Sequence, residues 1–372
     1  MPSLSELHGR ILTSSGWING TLTIDPEGRI QSITKSIKTV HEDRILLPGF
    51  IDLHVHGGAG SDVMQGGEHL QTIAAIHARH GTTSMLATTV TAPLPELEQV
   101  LTQIAAQIGV RPAATSRLLG VHLEGPFINP EKLGAQPDFA CIAVHEQIQT
   151  LCKLAPVRVV TIAPELPDHI SIIKDLRQQG IRVQIGHSAG SYEDGVHAMQ
   201  AGASSFTHLF NAMSGLHHRE PGMVGAALAH AEFAEIIPDL LHVHPGAIRA
   251  ALRAIPHLYC VTDSTAAAGM PDGRYMLGSH QVSKCMGGVR LADGTLAGSA
   301  LTMDLALRNL VSIGLSIEDA SHRLSRNPAR YLGLTDRGSL EAEAWADIVE
   351  LDANLQLINV YIEGEKIVIH DV

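Results

Sequence analysis

The strongest constraint on the fold is a series of eight apolar runs, each nearly unbroken by polar residues, spread along the middle of the chain. They are ILLPGFIDLHVH from Ile45, TTSMLATTV from Thr82, RLLGVHLEG from Arg117 and RVVTIAPE from Arg158. RVQIGHS from Arg182, SFTHLFN from Ser205, EIIPDLLH from Glu235 and LYCVTDS from Leu258 complete the series. Continuous rather than alternating apolarity suits strands covered on both faces, as in parallel sheets. Between the runs lie stretches with helical spacing. Residues 68–80 carry Leu70, Ile73, Ala74 and Ile76, residues 94–108 carry Leu97, Val100, Leu101 and Ile104, and residues 170–179 carry Ile172, Ile173 and Leu176. Residues 192–201, 246–254 and 305–313 continue the pattern. Strands alternating with helices through right-handed crossovers predict an α/β fold, a closed (β/α)8 TIM barrel over residues 48–337. A doubly wound open sheet is the alternative on pattern alone.

Both ends differ from the middle. Residues 1–47 hold alternating β-like pieces around the turn Pro26-Glu27-Gly28, and residues 338–372 read as short strands with polar turns. Neither end is long enough for a stable core. They are expected to join in one small β-sandwich domain beside the barrel.

Composition excludes several classes. Hydrophobic residues make up 45% and charged residues 17%, which rules out global disorder, and aromatics at 3% leave an aliphatic core. A formal charge of −12 argues against nucleic-acid and anionic-membrane partners, although a few local cations can still hold one phosphate. No run approaches the roughly 18 apolar residues of a membrane helix, and the N-terminal stretch lacks the pattern of a signal peptide. The four cysteines form no CxxC pair, which fits free thiols in a reducing cytoplasm.

The chain has 22 histidines against 26 Lys and Arg together, so the placement of histidines bears directly on chemistry. His54 and His56 end the first run, Glu124 the third, His187 the fifth, His208 the sixth, His242 the seventh and Asp263 the eighth. Barrel enzymes place their sites at these C-terminal strand ends. One such residue would pass as a buried histidine with a carbonyl partner; core packing does not produce the whole set. Imidazole and carboxylate ligands suit zinc first, with iron, manganese or cobalt as alternatives, and not calcium. Ion-bound water falls toward a pKa of about 7 and becomes a nucleophile. Asp263 is expected to take its proton and return it to a leaving group. That is the layout of a metal-assisted hydrolase.

Together PGFIDLHVHGG, HLEGPF, GHS, THLFNAM, LHHREPGMVGA, VTDS, AAGMPDGRY, LAGSALTMD and NPAR resemble the N-acetylhexosamine-6-phosphate deacetylases of the amidohydrolase superfamily. The resemblance runs from about Leu47 to Leu334, and the flanking β segments fit the family's small second domain. It implies Glu124, His187 and His208 as principal metal ligands, with His54, His56 and Asp263 holding a second ion. It implies Asp263 as the catalytic aspartate. Ala135, Gln136, Asn211, Ala212, His242 and the Leu296-Ala297-Gly298 turn would contact substrate. Arg219 would reach across a homodimer to the phosphate, where a guanidinium can grip it through two parallel hydrogen bonds. One or two divalent ions per subunit are expected.

The chain departs from the family at KLGAQP, which puts Gln136 where many members have histidine, and at IIPDLLH in place of IADGxH. Gln136 could read the sugar epimer, and GGAGSDVM and GGVRLADG look slightly more like the galactosamine branch. The reading therefore leans to N-acetyl-D-galactosamine 6-phosphate over N-acetyl-D-glucosamine 6-phosphate. A cyclic amidase would bring a bridging lysine to the fourth strand end, which reads Ala163-Pro164-Glu165. A non-catalytic scaffold should have lost ligands, and none is missing.

Overall fold

The computed structural model describes residues 5–36 and 43–369. In chain order the barrel strands are Phe50–Val55, Thr82–Thr88, Arg117–Glu124, Val157–Ile162, Arg182–Ile185, Ser205–Phe206, Glu235–Ile236 and Tyr259–Cys260. The first six pair in parallel in one sheet, and the last two pair with each other. Backbone hydrogen bonds close the ring. Leu209 N donates to Glu235 O at 2.9 Å between the sixth and seventh strands, and Asp263 N donates to His54 O at 2.9 Å between the eighth and first. Every residue of the first two strands is buried, as continuous apolarity requires.

The helices with clear apolar stripes form where the spacing predicts them. Leu94–Ala105 buries Leu97, Val100, Leu101 and Ile104. Tyr192–Ala201 starts at a capping box in which Ser191 Oγ accepts from Asp194 N at 3.2 Å and Asp194 Oδ2 accepts from Ser191 N at 2.8 Å. Gly222–His230, by contrast, carries no stripe that the sequence could reveal. Six consecutive residues of that helix, from Gly222 to Ala227, are buried, so no polar face marks its period.

The seventh strand is shorter than its apolar run. It stops at Ile236, because Pro238 has no N–H for the ladder. His242 therefore lies in a turn beyond the strand, where Asp239 Oδ1 accepts from Leu241 N at 2.9 Å and His242 N at 2.8 Å. After the eighth strand comes an antiparallel sheet of Gly273–Leu277, His280–Cys285, Gly288–Arg290 and Leu296–Ser299. It has its own core of Val90, Ala267, Leu277, Val282, Val289 and Ala297. The segment expected as a Leu296-Ala297-Gly298 turn is the last strand of this sheet.

Both chain ends join one seven-stranded sheet. Ile45–Pro48 lies between Ser5–Thr13, to which it is parallel, and Ile348–Leu351, to which it is antiparallel. The sheet packs over Ile11, Leu22, Ile24, Leu46, Ala346 and Ile348. None of the described helices is long and apolar enough to cross a membrane.

A buried arginine pins this sheet to the barrel. Arg337 Nη1 donates to Asp347 Oδ2 at 2.8 Å and to Ser84 Oγ of the second barrel strand at 3.1 Å, while Nη2 donates to Glu363 Oε1 at 2.7 Å. Burial pushes the Asp347 carboxyl up to about 6, against the pull of Arg337. Removing one partner of a buried pair leaves the other charge uncompensated. Arg337→Met should therefore lower unfolding stability by about 3–5 kcal/mol, read as a shift in the denaturant midpoint.

Candidate active site

The third barrel strand ends in Glu124, which is 1% exposed. A carboxylate so deep is tolerable only if surrounded by donors or cations. Its Oε1 lies 3.2 Å from His187 Nε2 and 3.1 Å from His208 Nε2. Its Oε2 lies 3.3 Å from His54 Nε2 and 3.1 Å from His56 Nε2. Asp263 Oδ1 completes the second group, 3.5 Å from His54 Nε2 and 3.3 Å from His56 Nε2. The two nitrogens within each histidine pair also face each other, at 3.1 Å.

This convergence fits divalent metal ions. In three of the four histidines the opposite ring nitrogen is already engaged: His54 Nδ1 with Glu235 Oε2 at 3.1 Å, His56 Nδ1 with Thr88 O at 3.2 Å and His187 Nδ1 with Lys132 O at 2.8 Å, while His208 Nδ1 is buried without a partner. Each partner is an acceptor, so each engaged Nδ1 carries the proton and Nε2 offers its lone pair inward, as metal-ligating histidines do. Glu124, His187 and His208 form one set of candidate ligands and His54, His56 and Asp263 another, with the ligand atoms of each set within 4.8 Å of one another. The nitrogen and oxygen donors suit a borderline ion. His54, His122 and Glu235 are equally close. His122, however, spends both ring nitrogens on Leu53 O at 3.1 Å and Thr161 Oγ1 at 2.8 Å, so it supports the site rather than ligating.

The electrostatics match. Burial alone would raise Glu124 and Asp263, but the imidazoles, His54 foremost, hold both carboxyls below their ordinary range. Burial would likewise lower His54 and His56, yet the two carboxylates hold both above it, His56 at about 9. The cluster balances its negative charge with protons, and a divalent cation would displace them. At His242, burial is again overcome, here by Asp239 Oδ2, 2.6 Å from Nδ1, and the imidazole is raised above its ordinary value.

Strained backbone aims several of these side chains. His187, His208 and Asp263 have φ of 48°, 29° and 50°, a region that costs a non-glycine residue about 1–3 kcal/mol. Asn129 N holds His187 O at 3.0 Å, and Ser299 N holds Asp263 O at 2.7 Å. Gly298, at φ 58°, permits that last contact, since a Cβ there would stand 2.9 Å from Asp263 O and 2.6 Å from Thr265 Cγ2.

The ligand sets open onto a cleft of about 220 Å³. Of the expected substrate contacts, Ala135, Gln136, Asn211, Ala212, His242, Leu296 and Gly298 line it. Ala297 does not: strand neighbours face opposite sides, and its side chain is buried in the insertion's core. Arg219 lies outside the cleft on an exposed loop, with Nη1 2.8 Å from His218 Nε2. Gln136 is committed at both ends, its Nε2 donating to Glu124 Oε2 at 2.7 Å and its Oε1 accepting from Thr91 N at 2.7 Å. It braces a ligand through one of its two N–H groups while lining the cleft.

Sequence reasoning missed Glu235, Gln184, His122 and Glu165. The available signal was a carboxylate opening an otherwise apolar strand, since Glu235 is wholly buried and must have partners there. Glu165, where a cyclic amidase would carry lysine, instead ties loops together. It accepts from Asn129 Nδ2 at 2.9 Å, Ser188 Oγ at 2.7 Å and Ala189 N at 2.8 Å.

Comparison with known proteins agrees with this geometry. The amidohydrolase family model matches residues 45–370. The chain belongs to the amidohydrolase family. Among its relatives, N-acetylgalactosamine-6-phosphate deacetylase of Escherichia coli O157:H7 is 40% identical, over 96% of this chain and 97% of its own length. N-acetylglucosamine-6-phosphate deacetylase of Mus musculus is 39% identical, over 96% and 92%. The solved N-acetyl-D-glucosamine-6-phosphate deacetylase of Mycobacterium smegmatis, an aspartate-to-alanine mutant in complex with N-acetyl-D-glucosamine 6-phosphate, superposes at a TM-score of 0.91. It is 32% identical and covers 98% of this chain and 100% of its own. The chain therefore falls with the N-acetylhexosamine-6-phosphate deacetylases, hydrolases of linear amide bonds.

The bracing role of Gln136 can be measured. A hydrogen bond to a charged group is worth about 1.5–3 kcal/mol. Gln136→Leu should therefore reduce kcat by about ten- to a hundredfold, with the metal content of the purified protein unchanged.

Proposed function

We propose that the protein hydrolyses the acetamide of N-acetyl-D-galactosamine 6-phosphate in preference to the glucosamine epimer, releasing acetate and the amino-sugar phosphate. The observation that carries the hydrolytic chemistry is the pairing of Glu124, His187 and His208 with Asp263 at the mouth of one cleft. The epimer preference rests on the GGAGSDVM and GGVRLADG wording.

We read the cluster as two ion subsites sharing Glu124, with zinc the first choice on ligand chemistry. When bound, the ions supply an acidified water and Lewis acidity toward the amide carbonyl. The protein's own groups do the rest. Asp263 takes the water proton and returns it to the nitrogen as the C–N bond breaks, so that the amine leaves neutral. The His242 imidazole, whose proton affinity Asp239 raises against the effect of burial, donates to the carbonyl oxygen in its protonated form as negative charge builds there. Asn211 and Ala212 line the cleft beside the ligands and orient the sugar phosphate. Arg219, exposed in one subunit, meets the phosphate bound in its partner, which makes the working unit a homodimer. Four free thiols among the described residues support a cytoplasmic enzyme.

Asp263→Asn should lower kcat by several powers of ten while the ions held by Glu124, His187 and His208 remain; a near-normal rate would refute the proton-transfer role. The epimer preference is tested by kcat/KM for the two acetylated sugar phosphates on protein of known metal content. A higher value for the galactosamine substrate is expected, and equal values or the reverse order would remove that part of the reading.

A further inference from the structure

Beneath the ligand cluster lies a second polar layer that the chemistry above does not use. Its centre is Glu235, wholly buried at the start of the seventh barrel strand. An isolated carboxylate there would carry a large desolvation penalty. All of its partners are neighbours inside the barrel. Oε2 accepts from His208 N at 3.3 Å and faces His54 Nδ1 at 3.1 Å. Oε1 accepts from Gln184 Nε2 at 2.9 Å and Tyr259 OH at 3.3 Å. Tyr259 OH also accepts from Gln184 Nε2 at 2.8 Å, and Gln184 Oε1 accepts from Thr207 Oγ1 at 2.9 Å. Glu235 is thereby held by four donors from four other strand regions, which leaves its carboxylate little freedom to turn.

That rigidity bears on one ligand above all. His54 makes no backbone-carbonyl contact through Nδ1; its anchor there is Glu235. His56 and His187 use the carbonyls of Thr88 and Lys132 for the same purpose. A carbonyl acceptor orients a ring. A carboxylate also raises the ring's basicity, so it strengthens the bond the opposite nitrogen makes to a cation. We infer that Glu235 is a positioning residue. It fixes the His54 imidazole with Nε2 toward Glu124 and Asp263, and so sets the affinity of the subsite built from His54, His56 and Asp263. The inference rests on the two-subsite reading given above.

Glu235→Gln tests it at constant volume. A carboxamide has one oxygen, so it can accept from His54 or from the Gln184–Tyr259 pair but not from both. Wild type and variant would be stripped of metal and titrated with zinc against a competing chelator, with circular dichroism and thermal unfolding recorded alongside. Two ions are expected in the wild type. In the variant one of them should bind about 10–100-fold more weakly, while the other stays within a few-fold. Two ions at wild-type affinity in the variant would overturn the inference alone. A single ion in the wild type would overturn the two-subsite reading and the inference with it. Equal weakening of both ions in a folded variant would also overturn the inference, because Glu235 would then support the barrel as a whole. If Glu235→Gln does not fold, Tyr259→Phe removes one donor from Oε1 without touching a ligand. A few-fold weakening of one ion then supports the inference, and unchanged affinities overturn it.

Discussion

Much of this structure follows from the burial of one carboxylate. Glu124 has two oxygens, and each faces a pair of imidazoles, His187 with His208 and His54 with His56. A carboxylate removed from water demands that arrangement, and four rings aimed at one group demand a scaffold that brings distant strand ends together. A closed parallel barrel supplies it, because the C-terminal ends of its strands surround a common axis. The strained backbone at His187, His208 and Asp263 is part of the same solution. Outer contacts such as Asn129 N to His187 O keep those conformations in place.

The sequence made legible whatever was written as a period or as a polar interruption of one. Continuous apolar runs marked the barrel strands, and stripes such as Leu97, Val100, Leu101 and Ile104 marked the helices that cover them. Histidines and carboxylates at the ends of those runs marked the ligand cluster. The helix Gly222–His230 stayed hidden because burial on every side erases the stripe. The extent of the seventh strand was misread because Ile236, Ile237 and Pro238 continue an apolar run that the hydrogen-bond ladder does not.

The supporting layer was illegible for a different reason. Glu235, Gln184, Thr161, Thr207 and His122 make sense only through one another, across strands far apart in the chain. Nothing local distinguishes a buried glutamate that anchors a histidine from one that merely begins a strand. Gln136 shows the same limit from the other side. Its type suggested contact with a sugar, but the fold places Glu124 and Thr91 N at the two ends of its amide. Residue identity tells what a group can bond to; topology decides what it meets first.

The terminal sheet also has a bearing on how the molecule is assembled. Ile45–Pro48 precedes the barrel in the chain, yet its antiparallel partner Ile348–Leu351 follows it, so the whole barrel lies between them. Until Ile348–Leu351 has been made, one edge of Ile45–Pro48 has no strand to pair with, and unpaired edges invite association between chains. Long-range pairing of this kind is also slow to form. The nascent barrel thus forms beside an open sheet that only the segment following the barrel can close. Loss of Ile348–Leu351 would accordingly do its first damage at Ile45–Pro48, some three hundred residues away along the chain.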